Sequence, residues 1–454
     1  MNLKFKISKF LKNDDNNIDK FILLSGLMLR LMYIYYTPID VRQHDVHQFF
    51  QNQGGHSDYI LYIYKNHALP DFDPRTIFQF YHPPLHHIIC ALWLSFVKLL
   101  GFSIEDAGVN TLQFLTVFYS FLFAVLACKT FKRLNLTPKT VSFCTAVVTF
   151  HPTLIIMSGS INNDMLSSLF GMSAIYFTVK WADKKDFKSI IMIALSVGLG
   201  MFTKLSVGLL APAIAAVFIC VFIKNFSQWK KFILQFLGVG IVCVPVGLFW
   251  SVRNYVKFGI SPSYVPELGE NSGQYIDKTA FERLFNWQLF QFESPFTQWE
   301  WFGASYNEFN PIIALWKNSM FDELTFFDGI ITMQAFCTAL FFSGVILSLF
   351  SVAALIIMWL NDEVKIENKL LITIISVTIF GNYVNFCLRY PQVCTQNMRY
   401  CVPLIFAGAA VCGMWLDREG GNYEKIRFKI TCILKKNMLA FCGFSVFVYI
   451  ALGF

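Results

Sequence analysis

The chain has 454 residues, 55% of them hydrophobic, 17% aromatic and only 15% charged. A water-soluble protein of this length has too little interior to hide so much apolar surface, so the composition excludes a soluble domain and calls for repeated membrane-spanning helices. The net charge of +8 would suit nucleic acid or anionic lipid. Lys and Arg gather in short segments between apolar runs, however, which speaks for the membrane and against nucleic acid.

The N-terminus carries Lys4, Lys6, Lys9, Lys12 and Lys20 ahead of a long apolar run with no convincing cleavage site. It reads as a retained first helix, about Phe21–Thr37, with a cytoplasmic N-terminus. Residues 38–108 then form a long outer loop with two short amphipathic pieces, near Ser57–Ala68 and Leu85–Leu100. The second piece is almost long enough to span. If it did, Lys129, Lys132, Arg133 and Lys139 would lie outside, so it is laid flat on the membrane surface instead.

Alternation sets the rest. Helices two to seven are expected at about Asn110–Cys128, Thr140–Met157, Met165–Val179, Ser189–Thr203, Leu205–Ile223 and Phe232–Ser251. A second long outer segment, 252–329, holds the aromatic and acidic run FESPFTQWEWFG, whose Trp299 and Trp301 suit an interface anchor or a sugar platform. Helix eight ends near Leu360, and helices nine to eleven cover Leu370–Leu388, Cys401–Leu416 and Met438–Leu452. The expectation is an all-α polytopic membrane protein, one domain over 1–454. It has about eleven transmembrane helices, long extracytoplasmic loops carrying juxtamembrane helices, and the C-terminus outside. The inner segments then hold 24 of the 37 Lys and Arg residues. The twelve cysteines show no CxxC or Cys/His spacing and mostly sit in apolar runs, as small hydrophobes.

Seven of the eight histidines fall between His44 and His87, with Asp40 just ahead of them and Asp45, Asp58, Asp71 and Asp73 among them. A titratable cluster at the mouth of a membrane helix reads as an active-site loop. The alternative for His86 and His87 is a place at the headgroup level. The loop opens with PIDVRQHDVHQF (Pro38–Phe49) and closes with FQFYHPPLHHII (Phe78–Ile89). Further along stand SGSINNDMLSSLFG (Ser158–Gly171), MFTKLSVGLL (Met201–Leu210), WSVRNYVKFG (Trp250–Gly259) and NMRYCVPL (Asn397–Leu404).

In this order the motifs resemble those of the protein O-mannosyltransferases and the lipid A aminoarabinose transferases, both of the GT-C superfamily of membrane glycosyltransferases. Asp45, His47 and His82-Pro83-Pro84-Leu85 match their first-loop motifs residue by residue. The chain departs at Val46, where a second acid is usual, and at His86-His87, where Gly-Lys is usual. The resemblance implies a GT-C-like bundle and transfer of a sugar from a polyprenyl-phosphate carrier to an acceptor hydroxyl on a glycan, lipid or protein. Its setting would be the extracytoplasmic face of a membrane, here a bacterial plasma membrane.

The residue types suit that chemistry. Phosphate is a good leaving group, so one carboxylate that takes the acceptor's proton suffices for an inverting attack. Asp45 is the expected base. The departing phosphate needs fixed positive charge, for which Lys204, Arg253 and Arg399 are expected at outer helix ends, Lys204 as a lone cation. His47, His56, His82, Asn163 and Asp164 complete the expected substrate-binding set, although Asp164 would also serve as a plain helix cap. The chemistry requires no cofactor. A divalent metal stays open, with His47, His56 and Asp164, together with Asp58, as its candidate ligands.

Two other functions compete. A transporter or flippase of lipid-linked sugars would place its ionisable groups near mid-membrane and show repeated halves, whereas here they crowd one loop and no repeat is visible. A polysaccharide polymerase or ligase would use outer loops without pairing HPPL with Asp45.

Overall fold

The computed structural model describes residues 15–42, 44–266, 269–297, 308–418 and 424–454. Every one of the eleven expected apolar segments contains helix. In chain order the helices are α1 (Asp15–Tyr36), α2 (Gly55–Asn66), α3 (Leu85–Leu99), α4 (Leu112–Arg133), α5 (Pro138–Thr149), α6 (Pro152–Gly159), α7 (Asp164–Lys184) and α8 (Phe187–Met201). They continue as α9 (Ala211–Lys224), α10 (Trp229–Phe258), α11 (Ala280–Phe285), α12 (Pro311–Phe321), α13 (Ile331–Met358), α14 (Ile366–Arg389), α15 (Pro403–Asp417) and α16 (Glu424–Ala451). The β-type pairing seen among the described residues is an isolated antiparallel bridge between Tyr275 and Gln392.

Six of these helical stretches are individually long and apolar enough to cross a membrane, and up to eight if each of two bent pairs counts as one span. They make this an integral membrane protein. The expected helix three is one of the bent pairs: α5 and α6 meet at 46°. The sequence Phe150-His151-Pro152 explains the break, since proline lacks an amide hydrogen and drives the preceding residue out of helical conformation. The expected helix five is the 15-residue α8, short because the chain turns extended at Lys204 (φ −157°, ψ 123°).

Contacts divide the chain into two units. One contains Arg30–Phe123 and Ile156–Leu268. In it α8 packs on α7 and α10, and α2 packs on α3. The α2–α3 pair sits between two apolar clusters. One gathers Val46, Ile60, Leu61, Cys90, Leu94 and Ile161; the other gathers Tyr59, Ile63, Phe80, Ala91 and Trp250. Each fully buried aromatic or aliphatic side chain here contributes about 1.5–3 kcal/mol of transfer free energy. The exposed face of α3 carries Leu92, Phe96 and Leu99, the i, i+4, i+7 apolar stripe of an amphipathic helix.

The other unit holds α5 and α11 to α16. There α13 packs on α15 and α16, while α5 and α14 pack on α15. Helix α12 lies within 252–329, as one of the helices that the long outer loops are expected to carry, and most of its residues are buried. Asn310 starts it by accepting from the Ile312 (2.9 Å) and Ile313 (3.1 Å) amides, with Pro311 at the first helical position. At 11 residues it is too short to register as a span. The buried Arg283 ties the segment together, donating to the carbonyls of Phe309 (3.1 Å) and Cys387 (2.5 Å) and to Gln396 Oε1 (2.9 Å). Trp299 and Trp301 lie outside the described residues.

Candidate active site

The N-terminus of α2 organises the unit that carries Asp45. The first amides of a helix have no partner inside it. Here three of them are met by backbone carbonyls from both ends of the histidine-rich loop. Gly55 N–H donates to Phe78 O (3.0 Å), His56 N–H to Asp45 O (2.9 Å) and Ser57 N–H to Val46 O (3.1 Å). Ser57 Oγ also donates to Val46 O (2.5 Å). The two motif ends, 38–49 and 78–89, thus close on one helix end.

Glycine is required where they meet. Gly54 and Gly55 have φ of +77° and +89°, a region L side chains rarely adopt. A Cβ on Gly55 would lie 2.7 Å from Val46 O and 2.8 Å from Asp45 O. The opposing segment is itself bent hard: Arg42, Asp45, His47 and Phe50 all have positive φ, between +54° and +66°. Such backbone persists only where surrounding contacts hold it.

Behind this clamp the histidines stack. His56 Nδ1 lies 2.8 Å from His87 Nε2. The His56 and His87 rings are nearly coplanar, 10° apart with centroids at 5.1 Å, and meet edge to edge through this contact; His82 lies near-parallel to His56 at 5.5 Å, and Tyr59 covers His87 at 4.1 Å. His86 Nε2 donates to the carbonyl of Ile161 (2.6 Å). His86 and His87 are fully buried within the protein. Burial, followed by the charge of neighbouring histidines, holds His56 and His87 well below the ordinary imidazole range. Burial brings His86 down to about 4, against the opposing pull of the Ile161 carbonyl and Asp164. These are neutral hydrogen-bonding rings at neutral pH, not cations for a phosphate.

A second loop at the site, residues 160–163, joins α6 to α7. Asp164 opens α7, but its carboxylate does not cap the helix; it forms an ion pair with Lys204. Lys204 is therefore not a lone cation. The pair is mostly buried, with 3% of the Asp164 side chain and 15% of the Lys204 side chain exposed. Asn163 Nδ2 donates to Thr203 O (3.0 Å), and its buried Oδ1 has no hydrogen-bond partner among the described residues. Lys204 lies close enough to His56, and Asp164 to His86, to move those histidines electrostatically.

Asp45, His56, His82, Asn163, Asp164 and Lys204 are thereby linked through a few contacts. His47 stands apart on the exposed rim, stacked on Phe78 (5.5 Å) with Nδ1 3.2 Å from Gln53 O. His47, His56 and Asp164 do not converge as a ligand set among the described residues. Arg253 stands at the end of α10. Its guanidinium lies over Trp250 (4.5 Å), bonds Pro70 O and sits 3.7 Å from Asp71. Trp250 in turn donates to Tyr81 O (3.1 Å), beside His82. Arg399 belongs to the other unit, where it stacks on Tyr400 (5.0 Å) next to Asn397. Asn397 bridges the buried carboxylates of Asp322 (2.7 Å) and Glu323 (3.0 Å).

Sequence reasoning passed over Gly54-Gly55 and Tyr59. The glycine pair was the available signal, since a Gly-Gly step before an apolar periodic run marks a turn into a helix.

Residues 81–250 match the profile of the dolichyl-phosphate-mannose-protein mannosyltransferase family. The match opens at the HPPL motif and ends at Trp250 of the WSVRN motif, so the resemblance read from the motifs holds over this stretch. No curated relative matches the chain. Among solved structures, ArnT from Cupriavidus metallidurans bound to undecaprenyl phosphate is similar at 11% identity and a TM-score of 0.40, over 87% of this chain and 77% of that one. Its apo form is similar at 11% identity and a TM-score of 0.39, over 85% and 76%.

Proposed function

We propose that this protein is an inverting glycosyltransferase that moves a sugar from a polyprenyl-phosphate carrier to an acceptor hydroxyl at the outer face of a bacterial plasma membrane. The observation that carries the reading is the family match over residues 81–250, which starts at the motif whose loop holds Asp45. The loop 38–108 supplies the base, and 252–329 forms part of the outer surface. Asp45 takes the acceptor's proton as the hydroxyl attacks the anomeric carbon opposite the carrier phosphate. Lys204 and Arg253 offer positive charge to that phosphate, with Arg399 a further candidate. His82, His47 and Asn163 line the approach. No cofactor is needed for this step. A divalent metal would have to draw on other groups than His47, His56 and Asp164 together.

The test is Asp45→Asn. An amide cannot accept the proton, and a well-placed base contributes about 10²–10⁴-fold in rate. Lipid-linked sugars extracted from cells lacking the protein should accumulate, fall on return of the wild type, and stay high with Asp45→Asn expressed at the same level. Restoration by Asp45→Asn would remove the mechanism. A cysteine at the exposed Gln53, in a background without native thiols, should react with an impermeant maleimide on intact cells. Labelling only after permeabilisation would overturn the sidedness.

A further inference from the structure

His86-His87 stands where the resembled families carry Gly-Lys, and the chemistry proposed above gives this pair no role. Successive residues on a helix point about 100° apart, so the two rings leave α3 in different directions, 77° between their planes. His87 meets α2; His86 meets the turn before α7. We infer that His86 and His87 are positioning residues, each holding one of the site's two loops against α3. The inference rests on the reading of Asp45 and Lys204 given under Proposed function.

The His87 arm runs through His56. The 2.8 Å contact between their rings needs one N–H and one lone pair, which two neutral imidazoles supply. Tyr59 packs on the His87 ring, centroids 4.1 Å apart, and holds its plane. With its ring held, His56 presents its amide to Asp45 O at 2.9 Å. Two bonds thus connect α3 to the backbone of the proposed base.

The His86 arm runs to the second loop. A carbonyl only accepts, so His86 carries its hydrogen on Nε2 and donates to Ile161 O (2.6 Å). Ile161 lies three residues before Asp164, the partner of Lys204. The same end of α3 also holds the segment that leads to Lys204, because Leu85 N–H donates to Phe202 O (3.2 Å). Gly-Lys could reproduce neither arm. Glycine has no side chain, and a lysine at the fully buried position 87 would bring an unpaired charge.

The arms are separable, and that gives the test. Hydrogen exchange on the full-length protein would be followed in peptides covering 54–60 and 158–168, together with titration by undecaprenyl phosphate. His87→Phe should speed exchange of the His56 and Ser57 amides tenfold or more, leaving 158–168 and undecaprenyl phosphate affinity unchanged. His86→Phe should do the reverse, speeding exchange in 158–168 and weakening undecaprenyl phosphate about tenfold while 54–60 stays protected. Glutamine carries an N–H near the position of Nε2, so His86→Gln and His87→Gln should restore most of each loss. Equal loosening of both peptides by either variant, or protection unchanged in all four, would overturn the assignment. If Lys204→Ala leaves undecaprenyl phosphate affinity intact, the donor reading fails instead, and the exchange data still decide the two arms.

Discussion

By sequence Lys204 and Arg253 are similar, two cations at expected outer helix ends suited to one phosphate, yet the structure holds them in opposite ways. Lys204 is drawn inward, paired with the nearly buried Asp164. Arg253 lies over Trp250 and leans on a backbone carbonyl and on Asp71, whose side chain is 78% exposed. A cation whose partner is buried cannot lose that partner cheaply, because the partner's charge then stands alone in a poorly solvated place. A cation resting on a carbonyl and an exposed acid keeps water as a substitute. Position along the chain therefore says less about a charged group's task than the solvation of its counter-ion.

The comparison breaks most visibly if Asp164 is removed. Asp164→Ala leaves the Lys204 ammonium without its carboxylate, and breaking a buried pair from one side costs about 3–5 kcal/mol. Unfolding of the purified protein in detergent should show a drop of that size. The double variant Asp164→Leu with Lys204→Met removes both charges and should recover most of it. A melting point unmoved by Asp164→Ala would mean that water already reaches the pair.

The next contrast is in donor binding. A charge-assisted contact to phosphate is worth roughly 1.5–3 kcal/mol, or about 10–150-fold in affinity. Lys204→Ala should weaken undecaprenyl phosphate by that factor. Arg253→Ala should weaken it less, since Arg253 divides its donors between Pro70 O and Asn254 Oδ1 (2.8 Å for the latter). Equal losses would restore the equivalence read from the sequence.

The sequence made the helices legible because membrane spans announce themselves by length and hydropathy, and the motif residues legible because their order is family-like. It did not disclose what the polar groups face. Nothing near MFTKLSVGLL signals that Lys204 meets a carboxylate forty positions earlier, or that His56 and His87, 31 apart, are hydrogen-bonded to each other. Those pairings follow from where α7 and α3 pack. Two features fall below the span signal: the 11-residue α12 and the 46° bend at His151-Pro152 between α5 and α6. Of the two roles the sequence leaves open for Asp164, its carboxylate does not cap α7 but pairs with Lys204, and position along the chain does not reveal such a competing cation.

The histidine stack sharpens the comparison through pH. His56 and His87 titrate below their ordinary range because the fold buries them beside His82, His86 and Lys204, with Asp164 the opposing charge nearest His86. A depressed folded-state value means the unfolded chain binds protons first as the solution is acidified. Stability is then complete above the ordinary histidine value, roughly 6.5, and declines as pH falls below it. The unfolding midpoint should drop between about pH 7 and pH 5, and His87→Phe should flatten the slope. The opposite slope would mean that the stack is stabilised by a shared positive charge.

The smallest effect is expected where the ion pairs look most numerous. Asp71 meets both Lys257 and Arg253, and the hydrogen bond from Lys257 holds its carboxyl below the usual range. Yet Asp71 is exposed, so each of these charges trades its partner for water at little net change, and salt screens what remains. Asp71→Ala should leave the unfolding midpoint within measurement scatter. Its effect should appear in donor binding instead. Freed from the acid, Arg253 and Lys257 present a stronger positive field to an approaching phosphate, so Asp71→Ala should tighten undecaprenyl phosphate slightly at low salt, and the gain should vanish as salt rises. A loss of affinity that persists at high salt would show that Asp71 holds Arg253 in its working position, and that the rim cation depends on its counter-ion as Lys204 does.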